Sequence, residues 1–380
     1  MTDFDEYIRQ EEPGRQQRAY AWRTAIGLQE VDGLKPSEYL KETARKHIEG
    51  DIGIDEAQRL IKSYYQSKTF RTPDDDGKEE ADVVSSHIAK LLGEQSFAFS
   101  VVGLTSIHHR LFEGVFKFAG KIRDYDITKK EWVLRGDTVL YVNSGDIRMA
   151  LEYDLEQERR FVYAGLTHDR MVEHIAAFVS GIWQIHPFGE GNTRTTAVFT
   201  IKYLRSIGFH VENDLFANNS WYFRNALVRA NYRNAVKGIE PDSKYLVHFF
   251  RNLLMGENNE LRNRYMVIGV PQEWKETGNV ADTPASTPTS TPASSGNQFY
   301  TDNENIQKLV TAIGEERRSV KEILETLSLR DRKNLAEYYL IPAQDNGFVA
   351  LLYPDKPRHP RQKYMLTIKG LALLASITKA

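Results

Sequence analysis

Between His186 and Thr196 the chain reads HPFGEGNTRTT, a run rich in side chains that can do chemistry. His186 is a group that takes up a proton near neutral pH. Glu190 offers the hard carboxylate oxygen that Mg2+ accepts. Gly191, Asn192 and Thr193 lead into a helix whose first amides lack intrahelical partners and suit an anion. Arg194 carries a planar fork that fits phosphate oxygens. Base, metal ligand, anion nest and phosphate clamp within nine positions are the parts of a phosphoryl or nucleotidyl transfer site.

Two apolar helices must hold that run. Upstream, Met171, Ile175, Phe178, Val179 and Ile182 recur at helical spacing over Met171–Ile185, so a buried helix delivers His186 into the loop. Downstream, Val198, Ile201 and Leu204 line one side of a second helix opening near Asn192, with Gly208 as its stop.

With these residues in place, HPFGEGNTR resembles the signature of the Fic family, His-x-Phe-x-Asp/Glu-Gly-Asn-x-Arg-x-x-Arg. The resemblance implies a mainly α fold, an all-helical core with a small β-hairpin flap. It implies protein adenylyltransferase activity, with AMP passing from ATP and Mg2+ to a Ser, Thr or Tyr hydroxyl of a target protein. His186 would be the catalytic base and Glu190 the metal ligand. Gly191, Asn192, Thr193 and Arg194 would bind the nucleotide. Two positions depart from the pattern: Thr193 stands where a small residue is expected, and Ala197 where the second arginine is expected.

The stretch before the signature resembles the family too. Ile107, Leu111, Val115 and Phe118 are helically spaced, and Ala119-Gly120-Lys121 should end that helix. Ile127–Val142 alternates well enough for two short strands around Arg135-Gly136-Asp137. The family's flap lies there and aligns a target by main-chain pairing, so residues 127–142 are the expected docking site. His108 and His109 are adjacent, about 100° apart on a helix, and so suit packing or surface roles better than one metal ion. Trp221 and Tyr222 either close the core or flank a purine.

Residues 1–68 read as helical, with Ser37 a candidate N-cap followed by Leu40, Ala44, His47 and Ile48 on one face. This segment resembles the small antitoxin modules that pair with Fic enzymes. Their inhibitory glutamate pairs with the last signature arginine. The matching place, LQEVDG (Leu28–Gly33), has Leu28 for a hydroxyl and Asp32 for the glutamate; it reads equally as a capping turn. With Ala197 also altered, the expectation is that this lock is absent. Arg71–Lys78 (RTPDDDGK) reads as a surface loop.

The 380 residues are 41% hydrophobic with a net charge of −2, which gives no overall pull toward nucleic acid or anionic membrane. The absence of cysteine excludes thiol catalysis and cysteine-ligated clusters. The N-terminus is polar, and no run is long enough to span a bilayer, so a cytoplasmic, bacterial-type protein without a membrane partner is expected. The expected divisions are a regulatory segment (1–68), a catalytic core (84–265), a Pro/Ser/Thr-rich linker (277–297) and a C-terminal domain (300–380). Three helices and a hairpin make the last a winged helix, an α+β unit. Arg330, Arg332 and Lys333, with Lys356, Arg358, Arg361 and Lys363 in the wing, give it a footprint for DNA, although winged helices also dock proteins. The competing function is therefore a DNA- or protein-binding regulator whose Fic core only senses nucleotide. The sequence assigns no oligomeric state.

Overall fold

The computed structural model describes residues 4–8, 12–68, 72–211, 214–278 and 296–379. The expected linker therefore lies largely outside the described residues. The molecule is mainly helical. Among the described residues the strands are β1 (Val349–Leu351) and β2 (Tyr364–Leu366), an antiparallel pair in the C-terminal domain.

The N-terminal segment folds as helices Pro13–Gly27, Glu38–Glu49 and Ile54–Gln66, with a 3-10 turn at Leu28–Asp32. Ser37 does cap its helix, accepting from the Leu40 N–H at 3.1 Å. The segment has no core of its own. Trp22, Leu28, Leu40 and Ile61 belong to the same buried cluster as Ile175, Val198 and Phe223 from the rest of the helical core. The RTPDDDGK stretch is not a loop throughout. A helix, Pro73–Gly93, starts inside it because Thr72 and Asp75 form a reciprocal capping box and Pro73 sits in the first turn, where its missing N–H costs nothing.

The helix carrying Ile107 and Leu111 runs over Val101–Phe112 and stops well before Ala119. Gly114, at φ 79°, turns the chain out of the helix, so Val115 and Phe118 pack from irregular backbone. The expected strand pair over Ile127–Val142 is also not a ladder. Side-chain burial alternates from Asp126 to Glu131 as a strand's would. The cross-links, however, are a Glu131 N–H to Asp137 carbonyl bond and a Lys129 N–H to Thr138 hydroxyl bond. Between them Trp132–Leu134 curls into a 3-10 turn that buries Val133 and Leu134, and the Val133 carbonyl accepts from Ile268 instead of a facing strand. Burying those two apolar residues takes precedence over extending the pairing.

Helices His168–Ile185 and Asn192–Ser206 meet at the signature loop, as their spacing requires. The C-terminal domain has the expected order: helices Glu304–Ile313 and Val320–Thr326, a third beginning at Arg332, then β1 and β2. The third helix opens into a π turn at Ala336–Leu340, just before Pro342, whose ring nitrogen has no hydrogen to give the preceding turn. A last helix, Ile368–Lys379, was not expected. Its Ala372 enters the main core and its Leu373 the C-terminal one. Beside it Gly208 and Gly347 meet backbone to backbone. A Cβ on Gly208 would lie 2.2 Å from the Gly347 carbonyl oxygen.

Candidate active site

The Trp183 carbonyl accepts from the His186 N–H, and His186 itself takes the left-handed conformation (φ 51°, ψ 59°) that ends its helix. That geometry turns the ring out of the helical path. Tyr141 of the flap covers it at 4.1 Å between centroids, and Trp183 meets it edge-on at 5.3 Å. His186 is 3% exposed, and neither ring nitrogen has a hydrogen-bond partner. Burial, reinforced by the Lys129, Arg224 and Arg123 cations, holds the imidazole well below its ordinary range. At neutral pH it is an uncharged base with both nitrogens available.

The loop between the two helices is fastened to itself. Asn192 donates to the Phe188 carbonyl at 2.7 Å and accepts from the Phe188 N–H at 3.0 Å. Thr193 accepts from the Trp183 indole at 3.0 Å. Gly191, at φ 75°, caps the second helix, and a Cβ there would run into the Phe112 ring. The side chains of Asn192 and Thr193 thus brace the nest, which leaves the first-turn amides as the groups facing an anion. Glu190 is half-buried and accepts from Lys129 Nζ at 2.8 Å. Burial alone would raise its carboxyl; the Lys129 ammonium and the Gly191 N–H outweigh it and hold it below the usual range. One carboxylate beside a helix N-terminus fits Mg2+, which takes one or two protein carboxylates and fills its shell with phosphate oxygens and water.

Arg194 is 1% exposed and points into the protein. Its Nε lies 2.7 Å from Asp32 Oδ2, and its terminal nitrogens donate to Glu80 at 2.8 Å and Gln29 at 3.0 Å. The guanidinium also lies over the Phe112 ring, 4.8 Å from its centroid.

Residues 98–204 match the family described as Fic/DOC, and residues 304–367 match the C-terminal domain of the Fic-like proteins (filamentation induced by cAMP). The chain carries a Fic domain. It is similar to the "probable protein adenylyltransferase Fic" of Salmonella typhimurium, 26% identical over 174 residues, which covers 45% of this chain and 74% of that one. It is also similar to the "protein adenylyltransferase VbhT" of Bartonella schoenbuchensis, 26% identical over 221 residues, 57% of this chain and 43% of that longer one. Among solved structures, a Fic family protein from Desulfovibrio desulfuricans G20 covers 93% of this chain and 88% of its own, at 16% identity and a TM-score of 0.43.

The Fic signature here departs from the expectation in one respect. Asp32, at the position matching the antitoxin glutamate, does reach a signature arginine. Ala197 has no charge to offer, so the pairing falls on Arg194, one turn earlier. The segment Leu28–Gly33 is also a capping turn, ending at Gly33 (φ 70°). Asp32 further contacts Arg224, which binds the buried Glu131 of the flap. Burial raises the Glu131 carboxyl, against the pull of Arg224.

Three residues of the site were not among the expected site residues. Arg123, 4% exposed, donates to the carbonyls of His186 (2.8 Å), Tyr125 (2.7 Å) and Val142. One guanidinium therefore ties both stems of the flap to the backbone of the base. His108 is fully buried, stacked 3.7 Å from Phe188, and bonded to the Glu190 carbonyl at 3.0 Å and the Gly120 N–H at 2.7 Å. Its ring is therefore neutral, with hydrogen on Nε2, and burial first of all lowers its pKa to about 4. This is the packing role expected, placed directly under Glu190. Lys129 is the third. Tyr222 is buried with its hydroxyl on the Tyr245 carbonyl, so it closes the core. Trp221 is part-buried beside Arg224, 5.7 Å away, and its indole N–H has no partner.

Proposed function

We propose that this chain is a protein adenylyltransferase that moves AMP from ATP to a Ser, Thr or Tyr hydroxyl of a target protein. The observation that carries the reading is a neutral, buried His186 with both nitrogens free, held in the loop that opens onto the Asn192–Ser206 helix N-terminus. A hydroxyl is a poor nucleophile at pH 7, so a base at its oxygen matters most. His186 takes the hydroxyl proton as that oxygen attacks the α-phosphate of ATP. The new O–P bond forms while the bond to the β-phosphate oxygen breaks, and pyrophosphate leaves with its charge. The amides of Asn192 and Thr193 hold phosphate oxygens, in the manner of other helix N-termini. Mg2+ held by Glu190 would neutralise phosphate charge. Tyr141 and the rest of 127–142 keep water from His186 and offer a target its docking edge. Arg194 reaches a phosphate only after leaving Asp32, Glu80 and Gln29, so the N-terminal segment opposes nucleotide binding. The cysteine-free composition suits a reducing cytoplasm. Incubation with α-labelled ATP and Mg2+ tests the activity: label on a protein, lost in His186→Ala, is expected. Its absence from every protein, with wild type and variant alike, would sink the reading.

A second reading concerns the C-terminal domain, whose helices and hairpin have winged-helix order. Lys356, Arg358 and Arg361 are exposed in a loop that Gln362 closes by accepting from the Tyr353 N–H at 2.9 Å and donating to the Tyr353 carbonyl at 2.9 Å. That preformed basic loop favours a duplex partner. A gel shift of the full chain should then lose its salt-sensitive band in Arg358→Glu/Arg361→Glu.

A further inference from the structure

Resting on the reading of Glu190 as the metal ligand, we propose that Lys129 is a resident cation that a divalent metal must displace. The Lys129 ammonium and the metal are then alternatives at Glu190. The flap crosses the site to place the Lys129 ammonium 2.8 Å from Glu190 Oε1, an oxygen that also accepts from the Gly191 N–H at 3.3 Å. Lys129 is not a loose surface side chain. It is 22% exposed, and its own N–H is bonded to the Thr138 hydroxyl across the flap. The two oxygens of one carboxylate are about 2 Å apart, so a metal on either of them would sit within a few ångströms of the ammonium. Like charges that close, in a half-buried site, repel too strongly to share it.

The surroundings make the exchange unequal. Arg123 and Arg224 also lie near His186, and Arg194 adds to the positive field at Glu190. Arg194 and Arg224 are already paired with Asp32, Glu80 and Glu131, so Lys129 is the cation that Glu190 faces directly. A bare divalent ion therefore meets a neutralised ligand, whereas an ion arriving with polyphosphate brings the anion that the freed ammonium can face. Lys129 thus selects for metal that comes with nucleotide. It also links the metal to the flap, because moving the ammonium pulls on the segment whose Tyr141 covers His186.

The test compares the full-length wild type with Lys129→Met, which keeps the stem and removes the charge, and with Glu190→Gln. Calorimetry measures binding of MnCl2 alone and of AMPPNP with and without Mn2+. In Lys129→Met, Mn2+ alone should bind about tenfold more tightly than in wild type, and tryptic cleavage after exposed Arg135 should be faster without metal. Unchanged or weaker Mn2+ binding, or unchanged cleavage, overturns the inference. Glu190→Gln should abolish the Mn2+ enhancement of AMPPNP binding. If it does not, Glu190 is not the metal ligand, and the reading beneath the inference fails on its own.

Discussion

The two ends of the signature loop are opposites. At His186 a buried polar ring is left without a hydrogen bond; eight positions on, the Arg194 guanidinium, just as buried, is held by three side chains. A buried polar group without partners is costly unless something else is meant to meet it, whereas a buried ion with good partners is stable where it stands. His186 is therefore open to a partner, and Arg194 is engaged. On the proposed reading, access of nucleotide, rather than readiness of the base, is the step this arrangement restrains.

The contrast can be broken most severely by removing each group in turn. His186→Ala should cut AMP transfer by about 10²–10⁴-fold. Its thermal unfolding midpoint should fall only by what the ring's packing on Tyr141 and Trp183 supplies, since no hydrogen bond is lost. Arg194→Ala should cost the fold more, leaving Glu80 without its counter-charge and Asp32 with Arg224 alone, a loss of about 2–4 kcal/mol in urea unfolding. Equal stability losses in the two variants would erase the distinction.

Asp32→Asn sharpens it from the regulatory side. With one anchor weakened, Arg194 should be freer to meet phosphate, and calorimetry should show ATP binding about tenfold more tightly, a shift of about 1.4 kcal/mol. His108→Phe keeps the stack on Phe188 but strands the Glu190 carbonyl and the Gly120 N–H, a loss of about 1–3 kcal/mol.

The smallest effect is one of pH. His108 and His47 both titrate at about 4 in the folded protein rather than at 6.5, chiefly through burial. The unfolded chain accepts protons that the native state refuses, so stability falls as pH drops from 6.5 toward 4. The slope is at most about 1.4 kcal/mol per pH unit for His108, and less for the partly exposed His47. Chemical denaturation at several pH values should lose part of that slope in His108→Phe.

The helices around the signature were legible because their apolar residues recur on one face, and the chemistry-bearing residues because they are contiguous. What was hidden came from far away in the chain. Gln29 stands 165 positions from Arg194 and Glu80 stands 114, and no local pattern marks either as its partner. Ala197 was read as the loss of an ion pair, and Asp32 pairs instead with Arg194, one turn earlier. The flap's alternation was real, but which carbonyl Ile268 would claim depends on tertiary packing. The last helix escaped notice because it is apolar toward two cores at once and so shows no single stripe.

The meeting of Gly208 and Gly347 has a consequence for how the chain can vary. Both residues sit at positive φ, and a Cβ on either would strike the other's carbonyl oxygen at 2.2 or 2.1 Å. A joint of side chains can be loosened by trimming one methyl at a time. This one has nothing left to trim, and its first possible change already forces the backbones apart. The attachment of the C-terminal domain to the end of the signature helix is therefore inherited whole or lost whole.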